Sequence, residues 1–203
     1  EAAKEIDEHG TEDDMVGVFI PSTGVVPPLG HPRYDPIYEA AEANDLPILL
    51  HGANGSTTHM FPTVRRWNET YTENHVVVHP FGNMWHLTTM LVRGVPERFP
   101  DLDFVFQEAG IAWVPYTAWR LDDHYLMRPY EFHIDQLPSE YINERFYFTT
   151  QPLGHTANGS DDLAAMIELV GPDSIMYASD LPHADFDPPE ELFDRIKGRF
   201  DGQ

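Results

Sequence analysis

The chain has 203 residues, enough for one domain with a sizeable core. Twelve Lys+Arg stand against 34 Asp+Glu, a formal charge of −22, and no basic patch is visible, which argues against nucleic acid as a partner. Cysteine is absent, which excludes a disulfide framework and a thiolate metal site, and no stretch approaches the roughly 20 apolar residues of a membrane span.

Residues 1–9 read as a helix already under way, with no initiating Met and no apolar signal region, so the chain is expected to be cut from something longer. Residues 15–20 (MVGVFI) read as a strand closed by Pro21, followed by a Pro- and Gly-rich loop over 22–32. Residues 35–44 have helical spacing, with Asp35 as N-cap and Pro36 at the first helical position. Residues 48–51 form the next strand, and 52–74 read as a long polar insertion over the active face. Helix is expected over 84–93, with Leu87, Met90 and Leu91 on one face, then strand over 104–108 and helix over 114–127. A strand over 145–150 (RFYFTT), a helix over 160–170 capped by Ser160, a strand over 175–180 and a helix over 189–197 complete the chain. Strands alternating with helices are the signature of βαβ units. Five such units are too few for an eight-stranded barrel, which needs about 250 residues. Either the sheet is open or the first three units are missing.

The acidic residues are scattered, as at Glu12-Asp13-Asp14, Asp122-Asp123 and Glu190-Glu191, and Lys4 and Lys197 are the only lysines. A dispersed acidic, lysine-poor surface fits a halophilic cytoplasmic protein, because concentrated salt screens its self-repulsion.

Three apolar runs end in an ionisable group. Residues 47–50 lead into His51-Gly52, 104–107 into Glu108-Ala109-Gly110, and 175–179 into Asp180-Leu181-Pro182-His183. Short unbroken apolar runs suit strands buried on both faces of a parallel sheet, and such folds place their chemistry at the C-terminal strand tips. Eleven histidines and the absence of cysteine leave imidazole and carboxylate as the available ligands. His51 and Asp180 suit a divalent ion, and Glu108 suits a third ligand or a general base. The spacing is no compact motif, so each residue can also be read as a simple strand end. No Gly-rich phosphate loop follows the first strand, which disfavours an open-sheet nucleotide binder.

SDLPHADFD (179–187) resembles the SDYPHxDFD ending of the amidohydrolase-2 family, the metal-dependent decarboxylases and hydrolases related to aminocarboxymuconate-semialdehyde decarboxylase. LLHG (49–52) resembles that family's strand-5 histidine, and GVPERFPDLDFVFQEAGIAWVPYTAWRLDDHY (94–125) a further signature of it. The resemblance implies a (β/α)8 TIM-type barrel of the amidohydrolase superfamily, present here as roughly strands 4–8. Residues 1–203 would be a single domain, the C-terminal part of that barrel. It implies His51 and Asp180 as metal ligands, for Zn first and Mn or Fe as alternatives. Asp180, Glu108 and His183 become the catalytic candidates. Arg120 would pair with a substrate carboxylate, the alternative being a surface salt bridge with Asp122 or Asp123. His79, in an HPF that resembles one opening a helix near the pocket, is a further substrate-binding candidate.

Two features depart from the family pattern. Glu108-Ala109-Gly110 stands where many members have His-Gly-Gly, and no strand bearing an HxH or ExH metal pair is present. The expected function is decarboxylation, or else hydrolysis, of a small carboxylated aromatic or ring-opened substrate. The alternative is a truncated, inactive half-barrel. A homodimer is the expected assembly.

Overall fold

The computed structural model describes residues 1–52 and 67–199. In chain order these form α1 (Ala2–His9), β1 (Val18–Pro21), α2 (Asp35–Ala43), β2 (Ile48–His51), α3 (Tyr71–Val92), α4 (Val95–Arg98) and β3 (Phe104–Gln107). Then follow α5 (Trp113–Met127), α6 (Pro138–Arg145), β4 (Phe146–Thr149), α7 (Ser160–Val170), β5 (Ile175–Met176) and α8 (Pro189–Ile196). The five strands form one sheet in the order β1-β2-β3-β4-β5, and every pairing is parallel. Strands laid side by side in chain order, each joined by a helical crossover, describe an arc of a β/α barrel wall rather than a doubly wound sheet.

The register sorts the side chains into two faces. Val18, Ile48, Phe104 and Phe146 share one row. Ile20, Leu50, Phe106, Phe148 and Ile175 share another on the same face, because strand side chains alternate with period two. This face packs under the helices, and Ile48, Leu50, Phe104 and Phe148 are fully buried there. Phe104 stacks on Phe146 at 5.1 Å between ring centres, and Phe106 on Phe148 at 5.8 Å. Burial of each such ring contributes on the order of 2–3 kcal/mol. The other face carries Phe19, Leu49, Val105 and Tyr147. It would line a barrel interior, and at its β1 end Phe19 is 58% exposed. By the same alternation His51 falls on this second face, with Leu49.

Several boundaries differ from the sequence expectation. β1 begins at Val18, which is in register with Ile48, the first residue of β2, its one neighbour among the described residues. Met15 and Val16 stay outside the sheet and exposed. β5 stops after two residues, since β4 pairs only as far as Thr149 and the other edge is free among the described residues. Asp35 lies inside α2 rather than capping it, and its carboxylate binds Arg98 at 2.9 Å. Ser160 is likewise inside α7, whose N-cap is Gly159.

The largest correction concerns the insertion expected over 52–74. Residues 53–66 lie outside the described residues, but 71–74 open α3, a helix of 22 residues. A capping box starts it: Thr70 accepts from the Glu73 amide, and Glu73 accepts from the Thr70 amide. His79-Pro80-Phe81 therefore lies inside this helix and does not open one. Pro80 removes one helical hydrogen bond, and the first turn after Tyr71 (residues 72–75) is wholly polar, which together hid the start of the helix.

The second half of α3 anchors the structure. Leu87, Met90 and Leu91 are fully buried. Between them and the loop after β1 sits His86, also fully buried. Its Nδ1 accepts from the Leu29 amide at 3.2 Å, and its Nε2 donates to the Ser22 carbonyl at 2.5 Å. These bonds require a neutral ring, and burial pushes its pKa down to about 4. The unfolded chain takes up this proton near pH 6.5, so the stabilisation is complete above that value and declines as pH falls toward 4. Between pH 7.5 and 4.5 the loss from this group is about 2–3 kcal/mol. Urea unfolding of the native protein and of His86→Gln at both pH values checks this. The stability gap between the two proteins should shrink at pH 4.5; an equal gap at both pH values would refute the assignment.

Candidate metal centre

The site is built from strand tips and one helix. His51 ends β2 on the sheet's second face. Glu108 follows the end of β3, where simple alternation would send it to the helix side with Phe106. Its backbone instead adopts φ 55°, the left-handed region. Asp180, after β5, does the same at φ 61°. Left-handed backbone costs a non-glycine residue on the order of 1–3 kcal/mol and persists where surrounding structure enforces it. Here it turns both carboxylates toward the rim where His51 lies. The Glu108 amide is fixed by the Thr149 hydroxyl at 3.2 Å, on the neighbouring strand tip.

Glu108 then bridges two histidines. Its Oε2 accepts from His51 Nε2 at 2.9 Å, and its Oε1 lies 3.6 Å from His79 Nε2. Nδ1 of His79 donates to the His75 carbonyl at 3.2 Å, because a carbonyl can only accept, and this leaves Nε2 facing Glu108. The Glu108 hydrogen bond raises the His51 pKa above 6.5; burial opposes this, and the Glu108 and Asp180 charges reinforce it. Gly52 makes the approach possible. A Cβ there would lie 2.6 Å from the Glu108 carbonyl oxygen and 2.8 Å from the His79 ring.

Asp180 is held on both oxygens. Oδ1 accepts from His183 Nδ1 at 2.8 Å, and Oδ2 from Gln151 Nε2 at 3.2 Å. The same carboxylate raises the His183 pKa, first through that hydrogen bond and then through its charge. The following loop is pinned by Asp187, which accepts from the Leu153 amide at 2.8 Å. Donor atoms of Glu108, Asp180 and His183 all lie within 4.8 Å of one another. Two carboxylates this close repel, and a divalent cation between them removes the repulsion, so the residues present fit a metal ion. A cavity of about 350 Å3 opens beside them, bordered by His51, His79, Glu108 and His183 and, further out, by Tyr71, His75 and Asp185.

The structure thus gathers His51, His79, Glu108, Asp180 and His183 around one cavity or its edge. It does not bring Arg120 there. Arg120 lies on α5 with its side chain 53% exposed and binds Asp123 at 3.1 Å. One helical turn separates the two, and that spacing favours the local pair. Sequence reading missed Gln151, which is buried at the tip of β4 and holds Asp180. The signal was the same as at the other tips, an apolar run ending in a polar residue, but an uncharged one. Tyr71, His75 and Asp185 were also missed. Tyr71 sits in the stretch that read as loop, His75 just beyond it in residues given no element, and Asp185 was noticed only as part of a motif.

Comparison with known proteins gives the family and the fold. The amidohydrolase family model matches residues 1–201, and the chain belongs to that family. No curated protein matches the sequence. Among solved structures, 5-carboxyvanillate decarboxylase LigW from Sphingomonas paucimobilis is 26% identical, with a TM-score of 0.74 over 97% of this chain and 56% of its own. An amidohydrolase from Mycobacterium avium subsp. paratuberculosis is 22% identical, with a TM-score of 0.77 over 97% of this chain and 50% of its own. A dihydroxybenzoic acid decarboxylase from a Polaromonas species, solved with manganese and the inhibitor 2-nitroresorcinol, is 21% identical, with a TM-score of 0.67 over 96% and 57%. The chain therefore spans 50–57% of the length of these relatives, and its fold is an incomplete (β/α)8 barrel. No helix among the described residues is long and apolar enough to cross a membrane.

The pairing of His51 with Glu108 has a direct consequence in the metal-free protein. Replacement Glu108→Gln should lower the His51 pKa, because the charge and the charge-assisted hydrogen bond both disappear. An NMR titration of the imidazole Cε1–H resonances measures it. An unchanged His51 pKa in the variant would show that the two groups are not coupled in solution.

Proposed function

We propose that this chain carries the C-terminal part of a metal-dependent decarboxylase acting on small carboxylated aromatic substrates. The observation that carries the reading is Glu108, a single carboxylate that contacts His51 and His79 and reaches within 4.8 Å of Asp180. Manganese in the Polaromonas relative, and the decarboxylase activity that names it and LigW, support the same reading.

His51, Glu108 and Asp180 are the proposed ligands. Their donor set holds two carboxylates and one imidazole, which suits Mn(II) or Fe(II), so manganese replaces zinc as the preferred ion. When bound, the ion supplies Lewis acidity toward the substrate's oxygens. His183 is the proposed proton donor. Its Nδ1 is taken by Asp180, and its side chain borders the cavity and is 63% exposed, which suits an acid better than a ligand. In the reaction the bond between ring carbon and carboxyl carbon breaks, and its electron pair stays on the ring. The proton from His183 forms the new C–H bond, and carbon dioxide leaves. Asp180 accepts from Nδ1 of this imidazole at 2.8 Å and so orients it for this step.

The half-length match to the relatives favours a second reading, in which these 203 residues hold the ligands described but need further barrel strands for turnover. One assay addresses both. Carbon dioxide release from a panel of hydroxylated benzoates is measured with Mn(II)-loaded protein, and His183→Ala should lower kcat by about 10²–10⁴-fold. Hydrolysis products without carbon dioxide would contradict decarboxylation. Release by a longer polypeptide but not by the 203-residue chain would establish the second reading.

A further inference from the structure

The left-handed turn at Glu108 is held by groups outside the residue itself. The peptide plane that precedes it, between Gln107 and Glu108, is bonded on both edges. Its N–H donates to the Thr149 hydroxyl at 3.2 Å. Its carbonyl, that of Gln107, accepts from the Gly52 amide at 3.0 Å and from Asn83 Nδ2 at 3.3 Å. Two residues further on, the Gly110 amide donates to the Gln151 carbonyl at 3.0 Å. The backbone between these fixed points carries Glu108 at φ 55°. Gly52, Thr149 and Gln151 lie at or next to the tips of the flanking strands β2 and β4. Asn83 is the one of these partners that comes from a helix, α3.

Asn83 is fully buried. A carbonyl only accepts, so the amide nitrogen must be the group that faces Gln107. Its Oδ1 is then buried without a hydrogen-bond partner among the described residues. Burying a half-paired amide costs free energy that an apolar side chain of the same size does not. Core packing therefore gives no reason for an asparagine here, whereas the bond to the Gln107 carbonyl does. Asn83 also lies one helical turn after His79, whose Nε2 is 3.6 Å from the Glu108 carboxylate. One face of α3 thus meets Glu108 twice, at its side chain through His79 and at the preceding peptide through Asn83.

We propose that Asn83 is a positioning residue for the metal centre: by holding the Gln107 carbonyl it keeps Glu108 in the turn that points its carboxylate at the cation. The inference rests on Glu108 being a ligand, as in the reading above. Without the amide donor the Gln107–Glu108 plane loses its tie to α3. Glu108 then relaxes toward extended backbone, which a residue with a Cβ favours, and its carboxylate turns away from His51 and Asp180. Groups that orient a metal ligand typically contribute about 10–100-fold to metal affinity.

Mn(II) affinity without substrate, read from the electron paramagnetic resonance of the free ion, tests this. The native protein is compared with Asn83→Leu, Asn83→Ala and Leu87→Val. Leu87 is fully buried one turn further along α3, and its truncation loosens the same helix without touching the Gln107 carbonyl. Both Asn83 variants should bind Mn(II) about tenfold or more weakly, and Leu87→Val should stay within about threefold of native. In crystals of metal-free Asn83→Ala, Glu108 should have left its contact with His51. Native affinity in both Asn83 variants, or an equal loss in Leu87→Val, overturns the proposal. So does a Glu108 that keeps its turn and its His51 contact in the metal-free crystals. If the native protein binds no Mn(II), the ligand reading fails and those crystals alone decide whether Asn83 sets the turn. Loss of affinity in the Asn83 variants of a protein that releases no carbon dioxide upholds the positioning and refutes the activity. Carbon dioxide release with unmoved Mn(II) affinity refutes the positioning alone.

Discussion

The Glu108 carboxylate is the contact on which the rest of the site depends. It receives a hydrogen bond from His51 on the adjacent strand tip, faces His79 on α3 and approaches Asp180 across the rim. Its position is set by backbone geometry. A residue in extended conformation after Gln107 would point among the helices, whereas the left-handed turn at φ 55° sends the side chain to the cavity. Asp180 repeats the device at φ 61°. The described residues hold one other non-glycine residue at positive φ, Asp45, in the turn after α2. Strain concentrated at the two acids of one cavity is what a functional site, rather than a pair of ordinary strand ends, would show.

The fold supplies the rigidity that such a site requires. One face of the sheet packs stacked phenylalanines against the helices, and the buried half of α3 is fastened to the loop after β1 through His86. The outer half of the same helix carries the cavity wall. A side chain on a helix anchored in this way is held more accurately than one on a free loop. The opposite face of the sheet, where Phe19 is exposed, is the face that a complete barrel covers with its remaining strands.

Much of this was legible in the sequence because strand tips in parallel folds announce themselves as apolar runs ending in polar groups. That pattern located β2 to the residue, with His51 at its end, and put Glu108 one residue past the end of β3, whereas Asp180 lies four residues beyond β5, which stops at Met176. It failed where the deciding physics is not periodic. α3 begins in a polar stretch and contains Pro80, so its first turn, with Tyr71, read as loop, and His75 just after it was given no element. Gln151 carries no charge and drew no attention, although it holds Asp180. Arg120 illustrates the reverse: a motif marked it, while helical spacing supplied Asp123 as a local partner. The left-handed turns at Glu108 and Asp180 left no trace in residue type, since neither residue is glycine.

The account stands or falls on whether the strand-tip carboxylates share a cation. Crystals of the protein grown with Mn(II), with data collected at the manganese absorption edge, answer this directly. The expected result is one anomalous peak at coordination distance, about 2–2.5 Å, from oxygens of both Glu108 and Asp180. A manganese peak bound elsewhere, or a Glu108 carboxylate that remains paired only with His51 and His79 while manganese is present, would contradict it.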